Sequence, residues 1–365
     1  MALRTQALII GGGPGGSTAA RVLAGNGVDT LLVERNFSSV KPCGGGIPST
    51  AFGELGIPEH PIRRYADTIT VVSPKGEKVD IKLSGGSIAI VERGDFDHAL
   101  RAEAERSGAR LLEAGFTHFE DIGRTVVARL ALPQFRSMTV QADYVVAADG
   151  VNSRARTSLN IKPAPSFVTL SEKIKGENTD ACEFWFGSSH APRYYSWVFP
   201  QEGGVSAGTG AFGRAGIQGM WEKFLLRRGL RTNGLRRGFR IPLWQGDLYN
   251  LGKIFFVGDA AGQVMPFTSE GIYYSMKSGE MAALAILEGK AGNYKRLWEK
   301  RFHKRFSLMK RLWAYFLRTD SLAEKIVQVH KRPEVQRASM TLWLRKDLGK
   351  GSLLSYTNIF RRFLS

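Results

Sequence analysis

The run Ala7-Leu8-Ile9-Ile10, followed by Gly11-Gly12-Gly13-Pro14-Gly15-Gly16 and closed one helix later by Leu31-Leu32-Val33-Glu34, constrains the fold more than any other stretch. An apolar strand enters a tight turn at Gly11, bare backbone at Gly13 admits a pyrophosphate, and Gly16 permits close packing of helix on strand. The helix, expected over Ser17–Ala24, aims its N-terminus at that pyrophosphate, with Gly15 in its approach. Glu34 stands about 20 residues after the glycines, where a carboxylate accepts hydrogen bonds from a ribose 2′-hydroxyl. An acid there disfavours a 2′-phosphate, so the nucleotide is FAD or NAD rather than NADP.

A chain of 365 residues is long enough for two or three domains, and its hydrophobic share of 43% is that of a globular protein. Two cysteines, Cys43 and Cys182, exclude a disulfide framework or a cysteine-rich zinc site, and no metal site is expected. A reducing, cytoplasmic location fits. The first strand follows Met1 so closely that no signal peptide is expected, and no apolar run approaches the roughly 18 residues of a membrane span. The net charge of +18 is concentrated late: from Lys290 to Ser365, 19 lysines and arginines face 5 acids. Such a tail attracts an anionic membrane surface, nucleic acid or an acidic partner, and nucleic acid is not expected because charge alone argues for it.

The pattern predicts an α/β fold. A Rossmann-like nucleotide-binding domain (1–65, 90–164 and 250–290) is interrupted by an antiparallel β-sheet substrate domain (66–89 and 165–249). A basic, helical C-terminal region covers 291–365. Thr68–Leu83 alternates around Pro74-Lys75-Gly76 as a hairpin, Asp95–Ser107 is helical, and Arg110–Phe119 returns as a strand. Lys253–Val257 resumes the first domain as a buried strand.

That strand ends in Val257-Gly258-Asp259-Ala260-Ala261-Gly262, and Pro266–Ile272 leads into a helix. Together with the first fingerprint, these segments resemble the flavoprotein superfamily of aromatic hydroxylases, flavin halogenases and geranylgeranyl reductases. The resemblance implies FAD as cofactor, with Asp259 at its ribityl and phosphate portion. It also implies that the helix opening at Gly271-Ile272 aims its positive end at the flavin pyrimidine, where a helix dipole stabilises the anionic reduced ring. Arg93 stands between a strand and a helix, where the superfamily commonly reaches FAD; a surface arginine at a helix start reads the same way. Arg35, next to Glu34, joins the cofactor-binding candidates. Asp149-Gly150 with Ser153 and Arg156 resembles the second fingerprint of the superfamily.

Two further segments resemble the geranylgeranyl reductases in particular. Lys41-Pro42-Cys43-Gly44-Gly45-Gly46 matches their Pro-Cys-Gly-Gly loop, which runs beside the isoalloxazine, and Pro192, Tyr195, Trp197, Phe199 and Pro200 match P-x-x-Y-x-W-x-F-P. Tyr195, Trp197 and Phe199 alternate with Ser196 and Val198, so the three rings share one face of a strand. Such a wall suits a long apolar substrate, although a plain sheet core has the same stripe. Cys43 reads either as a small buried thiol or as the catalytic candidate, acting in flavin reactivity or proton delivery. Gly208-Thr209-Gly210-Ala211-Phe212-Gly213 also spells G-x-G-x-x-G, but Arg231 stands where an acid belongs, so no second dinucleotide site is expected. The electron donor is then transient, NADPH or a ferredoxin-like protein.

From Trp298, the residues Phe302, Phe306, Met309, Trp313 and Phe316 recur at helical spacing, with basic residues between them. This is the pattern of a helix lying in a membrane interface, over about Tyr294–Arg318, or of one packing on its own core. The resemblance implies an FAD-dependent reductase of isoprenoid double bonds in a prenyl lipid, quinone or chlorophyll precursor. The rivals are a flavin monooxygenase or halogenase on the same fold and a non-catalytic prenyl-binding carrier.

Overall fold

The strand Leu3–Ile10 runs through the middle of an eight-stranded sheet, flanked in parallel by Ser137–Ala147 on one side and Thr30–Glu34 on the other. Helices cover both faces of such a sheet, which is why Ala7, Leu8, Ile9 and Ile10 are all apolar and all buried. Ile254–Phe256 and Arg110–Glu113 extend the parallel part, and Val126–Ala131 with Gly115–Ile122 fold back antiparallel. The chain leaves Leu3–Ile10 for one neighbour and returns later to the other, so the strand order reverses between Ile10 and Ala147. In sheets of this kind ligands bind at the carboxyl ends of the strands beside that reversal. The computed structural model describes residues 3–213, 215–232, 234–344 and 346.

Contacts divide the chain into two units. The first comprises the chain up to Val40, Gly94–Ser166 and Ile241–His303; the second comprises Lys41–Arg93, Phe167–Arg240 and the described residues from Lys304. All the boundaries shift from those read in the sequence, by 2–25 residues. Residues 41–65 join the second unit because Gly46–Pro48 and Ile62–Ala66 both pair with Ile88–Val91 in one small sheet. The basic C-terminal region is not one body, since its first residues stay with the first unit.

The second unit is built on a seven-stranded sheet in which Thr68–Val72 and Lys78–Lys82 form the expected hairpin. Helix Ile217–Arg228 covers one face, burying Trp221 and Phe224 against Val72, Trp185, Val198 and Val205. The other face carries Tyr195, Trp197 and Phe199.

The helix expected over Tyr294–Arg318 is instead three pieces: Gly292–Trp298, a π-helical turn Glu299–His303, and Lys304–Phe316. Most of its aromatic stripe is turned inward, with Trp313 half-buried. Trp298, Phe302 and Phe306 are completely buried, and Phe302 meets the ring of Tyr274 at 5.2 Å. Periodicity showed one apolar face; Tyr273 and Tyr274 pack against its Trp298 and Phe302. Among the described residues no helix is long and apolar enough to cross a membrane.

Candidate functional site

In the first unit, Gly11 adopts φ +104°, and a β-carbon there would lie 2.5 Å from the carbonyl oxygen of Ala148. Only glycine lets the two strand ends meet this closely. A β-carbon on Gly16 would overlap the Gly11 carbonyl. At Gly13 the reverse holds: nothing lies within 4 Å of where a side chain would begin. Helix Pro14–Gly25 starts beside that open space, with proline in its first turn, no side-chain cap and no acid in the first turn. Its leading N–H groups and the positive end of its dipole are therefore offered to an anion.

A second helix start lies alongside. Gly15 would place a β-carbon 2.9 Å from the backbone oxygen of Ser275, and one on Gly279 would overlap the carbonyl of Gly15. The first turn of helix Pro14–Gly25 thus touches the first turn of helix Ile272–Leu287, which also lacks a side-chain cap. Gly271 caps that helix through its backbone, and Ile272 is buried. The Asp259 carboxylate sits 3.4 Å from where a Gly271 side chain would start.

Asp259 owes its place to a buried polar chain. Gly258 turns at φ +57° and donates its N–H to Ser278 Oγ at 2.9 Å and Gln263 Oε1 at 3.1 Å. Gln263 Nε2 donates to the Tyr294 hydroxyl at 2.8 Å, which in turn donates to the Phe256 carbonyl at 2.8 Å. Burial pushes the Tyr294 phenol pKa well up, so it remains a donor. Arg156, buried, donates to the Ala260 carbonyl at 3.1 Å and steadies the same turn from the other side.

Glu34 accepts the Gly12 N–H at 2.8 Å and the Asn36 N–H at 3.3 Å. Arg101 is the residue that sequence reasoning missed. Its guanidinium donates to the Gly12 carbonyl at 3.3 Å and the Phe37 carbonyl at 2.9 Å, and lies 5.4 Å from the Phe37 ring centre. Burial lowers its pKa while Asp97 and Glu34 oppose that shift. The only signal was an arginine four residues after Asp97, on the side of helix Arg93–Arg106 that carries Leu100 inward. Arg35 is exposed, with its stem over Gly115, and Arg93 is buried in the second unit.

Asp149 accepts the Ala155 N–H at 3.0 Å through Oδ2, while its buried Oδ1 has no partner. Burial raises its pKa against the hydrogen bonds that favour the carboxylate. A carboxylate oxygen without a donor, open space at Gly13 and two uncapped helix starts side by side fit a dinucleotide that brings hydroxyls and phosphates together.

In the second unit Phe199 carries the Cys43–Gly46 loop. A β-carbon on Gly44 would come within 2.7 Å of its ring, and Gln201 Nε2 donates to the Gly44 carbonyl at 3.0 Å. Cys43 Sγ accepts the Gly45 N–H at 3.3 Å. Phe184, half-buried and opposite Trp197 in the neighbouring strand, adds a fourth ring to the wall, 5.2 Å from Tyr195 and 5.3 Å from Phe199. Trp185, the next residue, points to the other face. The Trp197 indole N–H is buried without a partner. Cys182 is fully buried, which pushes its thiol pKa up and leaves it as packing. The glycines at 208 and 210 exist for the wall: a side chain at either would meet the rings of Trp197 and Tyr194.

The model of a family described as "FAD binding domain" matches residues 4–204. Geranylgeranyl diphosphate reductase of Rhodobacter capsulatus is 30% identical over 95% of this chain and 93% of its own length. Digeranylgeranylglycerophospholipid reductase of Methanocaldococcus jannaschii is 28% identical over 81% and 83%. A crystal structure described as geranylgeranyl bacteriochlorophyll reductase-like, from Thermoplasma acidophilum, superposes with a TM-score of 0.86 at 22% identity, covering 98% of this chain and 100% of that one.

Proposed function

Since the chain belongs to the geranylgeranyl reductase family of FAD-dependent oxidoreductases, we propose that it saturates carbon–carbon double bonds along the prenyl chain of a lipid, quinone or chlorophyll precursor. The observation that carries this reading is the four-ring wall of Phe184, Tyr195, Trp197 and Phe199, with the Cys43–Gly46 loop resting on Phe199.

When bound and reduced, FAD supplies a hydride for one alkene carbon. Gly11, Gly13 and Gly16 leave room for its pyrophosphate at the start of helix Pro14–Gly25, Glu34 and Asp149 accept hydroxyl hydrogens, and Asp259 holds the ribityl portion. The uncapped start of helix Ile272–Leu287 offers its positive end to negative charge on the reduced ring. An isolated alkene is a poor hydride acceptor, so positioning must supply much of the acceleration. The aromatic wall does this by holding the chain along one line and keeping water away. A proton must reach the second carbon, and Cys43, in the loop that touches the wall, is the group in this chain assigned to it. The electron donor is transient, NADPH or a ferredoxin-like protein.

The test is single turnover without oxygen. Dithionite-reduced protein mixed with a geranylgeranyl compound should reoxidise and yield product heavier by one hydrogen pair for each bond reduced. Product that forms only with oxygen would move the reading to a monooxygenase.

A further inference from the structure

Helix Ile217–Arg228 covers the face of the seven-stranded sheet opposite the aromatic wall, and its C-terminal end is tied down twice. Arg227 donates to the carbonyls of Ser73 and Pro74 at 2.8 and 2.7 Å, and Arg228 forks onto the Glu183 carboxylate at 2.7 and 2.8 Å. The strand that follows, Arg237–Pro242, forms the edge of the sheet, where Thr169 Oγ1 donates to the Phe239 carbonyl at 3.1 Å. The loop between them is held as well. Gly234 donates its N–H to Glu172 Oε1 at 2.6 Å, and a β-carbon on Gly234 would lie 2.7 Å from the Lys173 carbonyl oxygen. Glu183, Val198, Ala207 and Glu172 are register partners in one row across four strands. Both glutamates therefore project from the same face, three strand spacings or roughly 14 Å apart.

On this fixed frame two leucines point outward. Leu226, directly before the two tied arginines, is 85% exposed, and Leu235, directly after Gly234, is 75% exposed. Around them the charge has one sign: from Lys223 to Arg240 the chain holds seven lysines and arginines and no acid. Lys223, Arg231, Arg236 and Arg237 are exposed, and among the described residues none of the four pairs with a carboxylate. Cations on an edge strand serve to block pairing with another sheet, but that role gives no reason to hold leucines in water. A nucleic acid calls for exposed rings on which its bases stack. Here Trp221 and Phe224 are buried, and Phe239 is half-buried under the Lys41 ammonium at 4.6 Å. Leucine is also scarce among the residues that anchor protein partners. Apolar side chains set among unpaired cations match a surface that is anionic outside and apolar within.

We propose that this face docks on an anionic lipid surface, with Leu226 and Leu235 entering the acyl boundary and Lys223, Arg231, Arg236 and Arg237 meeting headgroup phosphates. The docking face goes beyond the reductase reading and needs nothing from it. It lies across the sheet from Tyr195, Trp197 and Phe199, so docking leaves the aromatic wall untouched. It also moves the membrane contact expected of the stripe from Trp298 to Phe316 onto a different part of the chain.

Flotation of the full chain tests it, with vesicles of phosphatidylcholine alone and with about one third phosphatidylglycerol. Wild type should partition about tenfold more strongly onto the anionic vesicles and lose most of that preference at about 1 M salt, where the Debye length falls to about 3 Å. Leu226→Ser combined with Leu235→Ser should weaken binding to the anionic vesicles by about tenfold. Arg236→Gln combined with Arg237→Gln should weaken it by about as much. Both pairs are exposed, so thermal melts of the variants should match wild type. A wild type that stays unbound at low salt overturns the proposal. Binding that survives both double variants assigns the contact to another part of the chain and overturns it too. Binding lost with the two arginines but intact with the two serines is attraction to a polyanion without insertion, and the lipid assignment then fails.

Discussion

Trp197 lies directly across the sheet from Gly208, so close that a β-carbon on Gly208 would overlap the indole ring. The glycine is a seat for the ring, and the wall depends on it. Gly208→Ala should therefore displace Trp197, destabilise the fold by about 1–3 kcal/mol and lower turnover far more than bound FAD. Trp197→Ala should lower turnover in the same way without the steric cost. Thermal melts, flavin absorbance per chain and single-turnover rates measured on both variants check this, and a Gly208→Ala enzyme with normal turnover would contradict it.

Gly13 and Gly279 should separate cofactor binding from folding. Gly13 has φ −77° and open space beyond it, so Gly13→Val fits the free protein but fills the room left for the pyrophosphate. Flavin occupancy should collapse while the denaturant midpoint of the apoprotein stays near wild type. Gly279→Ala drives a methyl group into the Gly15 carbonyl, so it should lower apoprotein stability by about 1–3 kcal/mol and flavin content with it.

Tyr294→Phe removes the hydroxyl that donates to the Phe256 carbonyl and receives Gln263. The loss should be about 1–2 kcal/mol in stability, since both partners are buried. Gln263 also receives the Gly258 N–H, so the turn that presents Asp259 should loosen and FAD should bind more weakly. Equilibrium dialysis of FAD against wild type and variant measures the second effect.

His190 sets a pH dependence. Burial, helped by the Arg227 charge and opposed by Asp320, holds its pKa down to about 4 from the ordinary 6.5. Between those values the unfolded chain takes up a proton that the folded protein refuses. Stability is therefore full above about pH 6.5 and falls as the pH drops toward 4, by an amount on the order of 3 kcal/mol. His330, also held low by burial, acts in the same direction. His190→Gln should flatten part of the slope of unfolding free energy against pH between 4 and 6.5; an unchanged slope would show that His190 is not its source.

Arg101→Ala should weaken FAD binding without touching the aromatic wall, because it frees the Gly12 and Phe37 carbonyls on either side of Glu34. Arg101→Lys should restore the charge but not both bonds, giving an intermediate affinity in a flavin titration.

The sequence by itself determined what depends on neighbours along the chain. The apolar run before Gly11, the turn glycines and Glu34 act within one βαβ unit, where short-range sterics leave a single solution. The alternation of Tyr195, Trp197 and Phe199 placed three rings on one face, because the period of a strand is two. Tertiary structure decided what lies against each face. The stripe from Trp298 to Phe316 had an apolar side that suited a membrane as well as a core, and the tyrosines at 273 and 274 settled the matter by covering Phe302. Gly208 and Gly210 imitated a phosphate loop in sequence, and only strand pairing revealed the rings resting on them. Phe184 and Arg101 take their places from partners 11 to 89 residues away. Periodicity reports which side of an element is apolar; it carries no information about the distant residue that comes to meet it.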